Sequence, residues 1–194
     1  MNEHRELLQK WLKMLFYAQI TSMAITVINA VTYLDNITSW ILKAVNVTVL
    51  WSLFQLKDVN PRYRISAIAK LGAFVCALLT TPVNTRLGLS SILLLVGSGC
   101  SWVTAYQEYH GHGELVEAAD SKLAKKWKDL FVWEIVIGLG ISFISVGATT
   151  VLVAAGAASS NITTAIILLS TLSSLALEGL YLIYMKRTLK LLKN

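Results

Sequence analysis

Residues 130–156 read LFVWEIVIGLGISFISVGATTVLVAAG, and a single charged residue, Glu134, lies within this apolar run. A helix needs about 20 mainly apolar residues to cross the hydrocarbon core of a bilayer, since each residue adds about 1.5 Å along the axis. The run is longer than that, so it predicts a transmembrane helix. The carboxylate of Glu134 then lies within a transmembrane helix, where an ionised group is energetically costly. Its position therefore requires an explanation.

The composition of the whole chain favours a membrane protein. Of its 194 residues, 55% are hydrophobic and only 14% are charged, and the mean hydropathy is +0.60. A typical soluble domain contains about 25% charged residues, so this chain could not cover a soluble core with polar surface. We therefore predict an all-α, polytopic integral membrane protein that crosses the cell membrane several times.

Six stretches of the sequence are long and apolar enough to be spans, and together they predict one transmembrane helical bundle over residues 1–194. The predicted spans are residues 14–34, 39–56, 65–83, 87–106, 130–156 and 162–185. The two prolines, Pro61 and Pro82, lie at or beside the joints between spans. This is expected, since proline interrupts a helix.

Basic residues predict the orientation of these spans, because Lys and Arg concentrate in cytoplasmic loops. Alternate span ends carry most of them: Arg5, Lys10, Lys13, Lys57, Arg62, Arg64, Lys122, Lys125, Lys126, Lys128, Lys186, Arg187, Lys190 and Lys193. The opposite ends carry Arg86 and little else, so both termini are predicted to be cytoplasmic. Lys43 and Lys70 lie within spans, close enough to an end to extend to the surface. The net charge of +6 then indicates anionic lipid headgroups as the partner of this face, and no nucleic acid.

Polar residues recur at helical spacing within several spans, as expected of helices that turn their polar side chains away from lipid. Examples are Gln19, Ser22, Thr26 and Asn29 in span one, Glu134, Gly138 and Ser142 in span five, and Ser174, Glu178 and Tyr181 in span six. Small and hydroxylated residues such as Gly97 and Gly138 are typical of helix packing surfaces.

The charged members of these stripes predict a binding site. Glu134 lies six residues after Lys128, which is about 9 Å along a helix axis. Glu178 lies eight residues before Lys186, which is about 12 Å along the axis. Gln19 has a similar depth. We predict that these three residues form an inner-side site for substrate or ion binding, or for proton coupling, with Asn29 and Asn46 farther out. A purely structural role stays open, because burial of a carboxylate near a helix end costs less than the about 2.5–3.5 kcal/mol at its centre.

Residues 106–114, YQEYHGHGE, offer a weaker metal hypothesis. In an extended segment His110 and His112 could share a metal ion with Glu108 or Glu114, but the spacing matches no standard zinc motif. The favoured interpretation is a span end where histidine and glycine break the helix and tyrosine anchors at the headgroups. Apolar residues then recur every four positions over residues 114–128, which predicts an amphipathic surface helix between spans four and five.

The sequence contains no GxxxxGK[ST], GxGxxG, HExxH or GxSxG motif, so it indicates neither an enzyme of the common classes nor a particular cofactor. The leading functional hypothesis is passage of a small solute or ion through a polar bundle interior. The alternative is a non-transporting accessory subunit, assembly factor or lipid-binding scaffold. A metal-dependent membrane enzyme is a third hypothesis. A homo-oligomer or a membrane partner subunit is compatible with the first two.

Overall fold

The described part of the chain folds into six long helices. The structure is a computed structural model, and it describes residues 2–31, 35–80, 87–154 and 160–193. The helices are α1 (Asn2–Val31), α2 (Asp35–Gln55), α3 (Pro61–Thr80), α4 (Leu87–Val116), α5 (Ser121–Ala154) and α6 (Ser160–Leu191). A short 3₁₀ turn, Leu56–Asp58, follows α2, and there is no β-strand in these ranges. The predicted all-α fold class is confirmed.

Five helices of the described chain are long and apolar enough to cross a membrane. Their apolar segments are Arg5–Asn29, Ile37–Asp58, Pro61–Thr80, Ser121–Ala148 and Thr164–Leu191, which correspond to predicted spans one, two, three, five and six. The ends of three predicted spans, at residues 32–34, 81–83 and 155–156, lie outside the described residues. Predicted span four, 87–106, lies within α4, whose last third is polar. The sixth crossing stays a prediction.

The helices are arranged in chain order around a common interior. Each helix packs against the one before and the one after it, and α1 closes the ring by packing against α6. The amide of Gln9 in α1 donates a hydrogen bond to the carbonyl of Leu192, just beyond α6, at 2.6 Å. The first and last helices therefore meet at the end of the bundle where the chain begins and finishes.

The tightly packed core lies at that same end. Its fully buried side chains include Leu12, Leu15, Leu53, Leu56, Tyr63, Trp127, Leu130 and Met185. They come from the first half of α1, α3 and α5, from the last part of α2 and α6, and from the 3₁₀ turn after α2, which are the segments that carry the basic residues. We call this the basic end. Toward the other end large apolar side chains face outward, and Leu95 and Phe143 are each 75% exposed.

Small residues bring α3 and α4 into close contact. A Cβ atom added to Gly72 would lie 3.1 Å from Cys100 Sγ, and one added to Gly97 would lie 3.2 Å from Cys76 Cβ. Both cysteines are free and half-buried in this interface. The packing role predicted for Gly97 is confirmed, since glycine lets membrane helices approach closely. The same prediction is wrong for Gly138, which has no neighbour within 4 Å of an added Cβ.

At the basic end the start of α3 holds the end of α4. The side chain of Asn60 accepts a hydrogen bond from the Arg62 backbone amide at 2.9 Å, which caps α3 with Pro61 at its first position. Asn60 and Arg62 also donate to the Glu114 carboxylate, at 2.8 and 2.6 Å. Partial burial raises the pKa of Glu114, but these hydrogen bonds and the Arg62 charge outweigh it, so the pKa is lowered from its usual value.

The predicted surface helix over residues 114–128 is wrong. Helix α4 continues to Val116, the chain turns at residues 117–120, and α5 then runs without a break from Ser121 to Ala154. Asp120 begins α5 by accepting a hydrogen bond from the backbone amide of Leu123 at 2.9 Å. Leu123 and Trp127 are buried in the bundle core. The apolar stripe therefore faces other helices, since α5 packs against α4 and α6 along this segment.

The expectation that histidine and glycine break the helix after Tyr106 is also wrong. A Cβ atom at Gly111 would lie 3.2 Å from Tyr63 Cζ, and one at Gly113 would lie 3.1 Å from the Ala124 carbonyl oxygen. These glycines remain helical and allow α3 and α5 to approach α4. The sequence alone does not separate the two roles, because glycine is common both at helix ends and at close contacts.

Replacing Gly113 with valine is expected to destabilise the protein by ~1–3 kcal/mol, because the added atoms meet the Ala124 backbone, which moves only if α5 shifts. Unfolding of the purified protein in detergent, followed by circular dichroism, measures this. The control is Gly140→Ala, where an added Cβ meets nothing within 4 Å. That variant is expected to match or slightly exceed the wild type, since alanine favours helix over glycine. Equal stability of Gly113→Val and wild type would contradict the close contact.

Candidate functional site

A cavity of about 300 Å³ lies between α1, α4, α5 and α6. We call it the acidic cavity because Glu134 and Glu178 both line it. The other polar lining residues are Gln19, Tyr109, Ser170, Ser173, Ser174 and Tyr181, and the apolar ones include Ile137, Ile141 and Leu177. The structure thus places Gln19, Glu134 and Glu178 on one cavity, in the arrangement that the sequence predicts. Gly138 lines it too, which explains why no helix fills the space above that glycine.

Both carboxylates of the acidic cavity have unused hydrogen-bonding capacity. One oxygen of Glu134 and one of Glu178 are buried and have no hydrogen-bond partner among the described residues. Tyr109 and Ser174 contribute hydroxyl groups to the lining of the same cavity. A buried acceptor without a donor costs roughly 1–3 kcal/mol, and more if it is charged. A ligand or water that donates to these oxygens is therefore favoured.

A smaller cavity of about 100 Å³, the central cavity, lies next to the acidic cavity. Gln19 and Tyr181 line both. The central cavity is also lined by Ser22, Asn46, Lys70 and Glu108, together with Leu15, Leu42, Val45 and Val49. Its volume is enough for about three water molecules, at about 30 Å³ each. Lys70 interacts electrostatically with Glu108 here, so the prediction that it extends to the membrane surface is wrong.

Glu108 connects the central cavity to a buried hydrogen-bonded network. The Tyr181 hydroxyl donates to Glu108 Oε1 at 2.6 Å, and His112 Nε2 lies 3.5 Å from the same oxygen. The other ring nitrogen of His112, Nδ1, is 2.7 Å from the Tyr63 hydroxyl. The Trp127 ring covers His112 at a centroid distance of 4.7 Å. His112 is fully buried, so it exchanges protons only through these partners.

A third cavity of about 280 Å³, the asparagine cavity, lies among α1, α2 and α3 and is lined by Asn29 and Asn46. It also contains Thr38, Ser39 and Lys43. Asn46 lines both this cavity and the central one. The five predicted site residues therefore lie along three adjoining cavities, and the structure does not bring Asn29 and Asn46 onto the acidic cavity.

The two histidines of the metal hypothesis lie in different surroundings. His110 is partly exposed, its Nδ1 is 2.9 Å from the Tyr106 carbonyl oxygen, and its ring stacks on Tyr106 at 4.1 Å. His112 faces the core instead, so the two rings do not converge on one ion. No group of three His, Cys, Asp or Glu side chains in the described ranges could hold a metal ion. Burial and two neighbouring cations lower the pKa of His110.

Sequence reasoning missed Tyr63, Lys70 and Trp127 as members of this polar interior. Glu108 and His112 are four residues apart, a spacing that brings two side chains together on one helix face. This spacing indicates a contact between Glu108 and His112 only if the helix is predicted to continue beyond Tyr106. Comparisons of this chain with known protein families, with curated proteins and with solved structures found no match.

Proposed function

We propose that the chain is a six-span membrane protein that binds a small cation in the acidic cavity and passes it across the bilayer. The observation that carries the proposal is the pair of buried, unpartnered carboxylate oxygens of Glu134 and Glu178 on one cavity. In a bundle surrounded by lipid, such groups mark ion or substrate sites more often than lipid contacts.

The ring of helices supports six crossings. Helix α4 lies between α3 and α5, which are both long and apolar enough to span, and it packs against each of them. A helix held along two spanning neighbours crosses with them. The tight core and the basic residues share one end, and we place this end in the cytoplasm, where lysine and arginine meet anionic headgroups.

The lining of the acidic cavity supports a cation as the ligand. Two carboxylates, three serine hydroxyls and one amide supply oxygen acceptors, and none of the described residues that line the cavity is Lys or Arg. About 300 Å³ is far more than a bare metal ion fills. The ligand is therefore a hydrated inorganic cation or a small alkylammonium ion, whose methylene groups would contact Ile137, Ile141 and Leu177.

The packing at the basic end gives the mechanism one further requirement. Leu12, Leu15, Trp127 and Met185 are fully buried there, which supports our proposal that this conformation is closed on that side. Passage needs a second conformation in which these contacts separate, as in carriers that alternate between two open sides. The acidic cavity, which lies beyond this core, is then exposed to each side in turn.

Transport is tested by uptake into proteoliposomes that contain the purified protein. The probes are radiolabelled sodium, potassium (as rubidium) and methylammonium, each with an imposed gradient. We expect at least one probe to enter ~10-fold faster than into protein-free liposomes. Uptake at the protein-free rate for all three probes, in vesicles where folded protein is confirmed by circular dichroism, would overturn the proposal.

Orientation is tested with single cysteines in a background where Cys76 and Cys100 are serine. In intact cells a membrane-impermeant maleimide is expected to label Ile162→Cys, near the start of α6, but not Lys126→Cys at the basic end. Lys126→Cys should react once the membrane is disrupted. The reverse pattern would contradict the cytoplasmic basic end, and equal labelling of both would contradict spanning by α5 and α6.

A further inference from the structure

The hydrogen bonds around His112 define one arrangement of protons. The Tyr181 hydroxyl donates to Glu108, so its oxygen can still accept a hydrogen bond from His112 Nε2, which lies 3.4 Å away. Glu108 Oε1 and the Tyr181 hydroxyl oxygen both face His112 Nε2, and both are then acceptors. The proton of a neutral His112 ring therefore lies on Nε2. Nδ1 is left to accept from the Tyr63 hydroxyl at 2.7 Å. A neutral His112 beside an ionised Glu108 therefore satisfies every polar group of the network.

We infer that Glu108 and His112 form a proton-binding site inside the bundle, which water in the central cavity fills and empties. Glu108 lines that cavity, so it is the point of entry. A hydronium ion gives its proton to the pair and leaves a water molecule. The pair changes from a charge of −1 to 0, and the carboxylate and the imidazole, 3.5 Å apart, share the added proton.

The other titratable and charged groups around the pair come from four helices. Tyr63 and Lys70 face it from α3, Tyr109 from α4, Glu134 from α5 and Tyr181 from α6. Helices α1 and α2 contribute uncharged Gln19 and Asn46 to the central cavity. Lys70 is thus the nearest cation on the cavity. With Glu108 ionised the cavity is neutral, and with the proton bound it carries one positive charge.

This charge provides coupling to the acidic cavity, a step that rests on the proposed function. Gln19 and Tyr181 line both cavities, so the uncompensated Lys70 charge is in the cavity that adjoins a cation bound between Glu134 and Glu178. Like charges repel, and repulsion is strong where water is scarce. Proton binding and cation binding therefore exclude each other, which makes the protein a proton–cation exchanger.

Nitrogen-15 NMR of histidine-labelled protein in detergent tests the proton site independently of transport. The chain has three histidines, so a His4→Ala/His110→Ala variant leaves His112 as the only signal. We expect its resonances to change with pH. Glu108→Gln in this background should change the pH of half-change, because it removes the carboxylate that shares the proton with His112.

The control for that experiment is Glu114→Gln, which removes a carboxylate from the same helix but at the surface. It is expected to shift the half-change by less than ~0.3 unit, since exposed charges are screened. Resonances that stay constant from pH 5 to 9, or an identical half-change in Glu108→Gln and its parent, would overturn the proton site.

Coupling is tested by adding methylammonium, sodium or potassium to weakly buffered protein with a pH indicator. At a pH low enough for the pair to hold its proton, we expect a transported cation to release about one proton per bound cation from the wild type and less than ~0.2 from Glu108→Gln. Cation binding without proton release would overturn the exchange but leave the proposed function standing. Proton binding in the NMR experiment with no uptake of any probe would overturn the proposed function instead.

Discussion

Replacing Trp127 with alanine is expected to lower the free energy of unfolding by ~3–5 kcal/mol, the range for truncation of a fully buried aromatic side chain. The indole is 0% exposed and its Nε1 donates a hydrogen bond to Thr188 Oγ1 at 3.1 Å. The ring also packs against His112 and, edge on, against Tyr181 at a centroid distance of 5.2 Å. Its loss leaves a cavity where α4, α5 and α6 meet.

Denaturant unfolding in detergent, followed by circular dichroism, measures this loss, and Trp133→Ala is the matched control. Trp133 lies on the same helix but is 57% exposed on the outer face. Its truncation is expected to change stability by no more than ~0.5 kcal/mol, as is usual for surface positions. Similar losses in both variants would contradict a core that lies at the basic end and faces the bundle interior.

Neutralising the acidic cavity is expected to give the largest functional effect. Each of Glu134→Gln and Glu178→Gln should weaken cation binding ~10- to 100-fold, since a hydrogen bond to a charged group contributes about 1.5–3 kcal/mol. The double variant should transport at the protein-free rate. Glutamine keeps the size of the side chain and removes only the charge, so the effect measures electrostatics and not packing.

Cation uptake into proteoliposomes and equilibrium binding to the detergent-solubilised protein measure these losses together. Glu114→Gln is the control, because Glu114 is paired with Arg62 at the basic end and lines none of the three cavities. It should retain wild-type uptake. Wild-type uptake in both single variants, with unfolding midpoints unchanged, would remove the acidic cavity from the mechanism.

The helices themselves could be predicted because their signals are local. Runs such as 130–156 are apolar over a length that satisfies every backbone hydrogen bond within one helix, which is what lipid requires. The convergence of Gln19, Glu134 and Glu178 was also predictable in part. Each lies at a similar distance from a basic helix end, and each belongs to a polar stripe that helical periodicity places on one face.

The continuation of α4 could not be predicted from residues 106–114. Glycine and histidine in this segment are typical of a helix end, and the sequence gives no sign that Tyr63 and Ala124 need the space that the glycines leave. The same wrong helix end leads to the prediction that Trp127 lies at the membrane surface, whereas it lies in the core. Because the sequence predicts the end of α4 too early, it does not identify the partners of His112, although it does name Glu108 and His112 as metal-binding candidates.

By itself the sequence determined that the apolar segments are helical, which of their ends are basic and which of their faces is polar, because these depend only on composition and on a period of 3.6 residues. Only the tertiary structure decided which polar faces share a cavity. Closure of the ring by α1 and α6 brings Gln19 to Glu178, and places Tyr181 against Glu108. Such contacts depend on the packing of helices that are distant in the chain, and no local pattern encodes them.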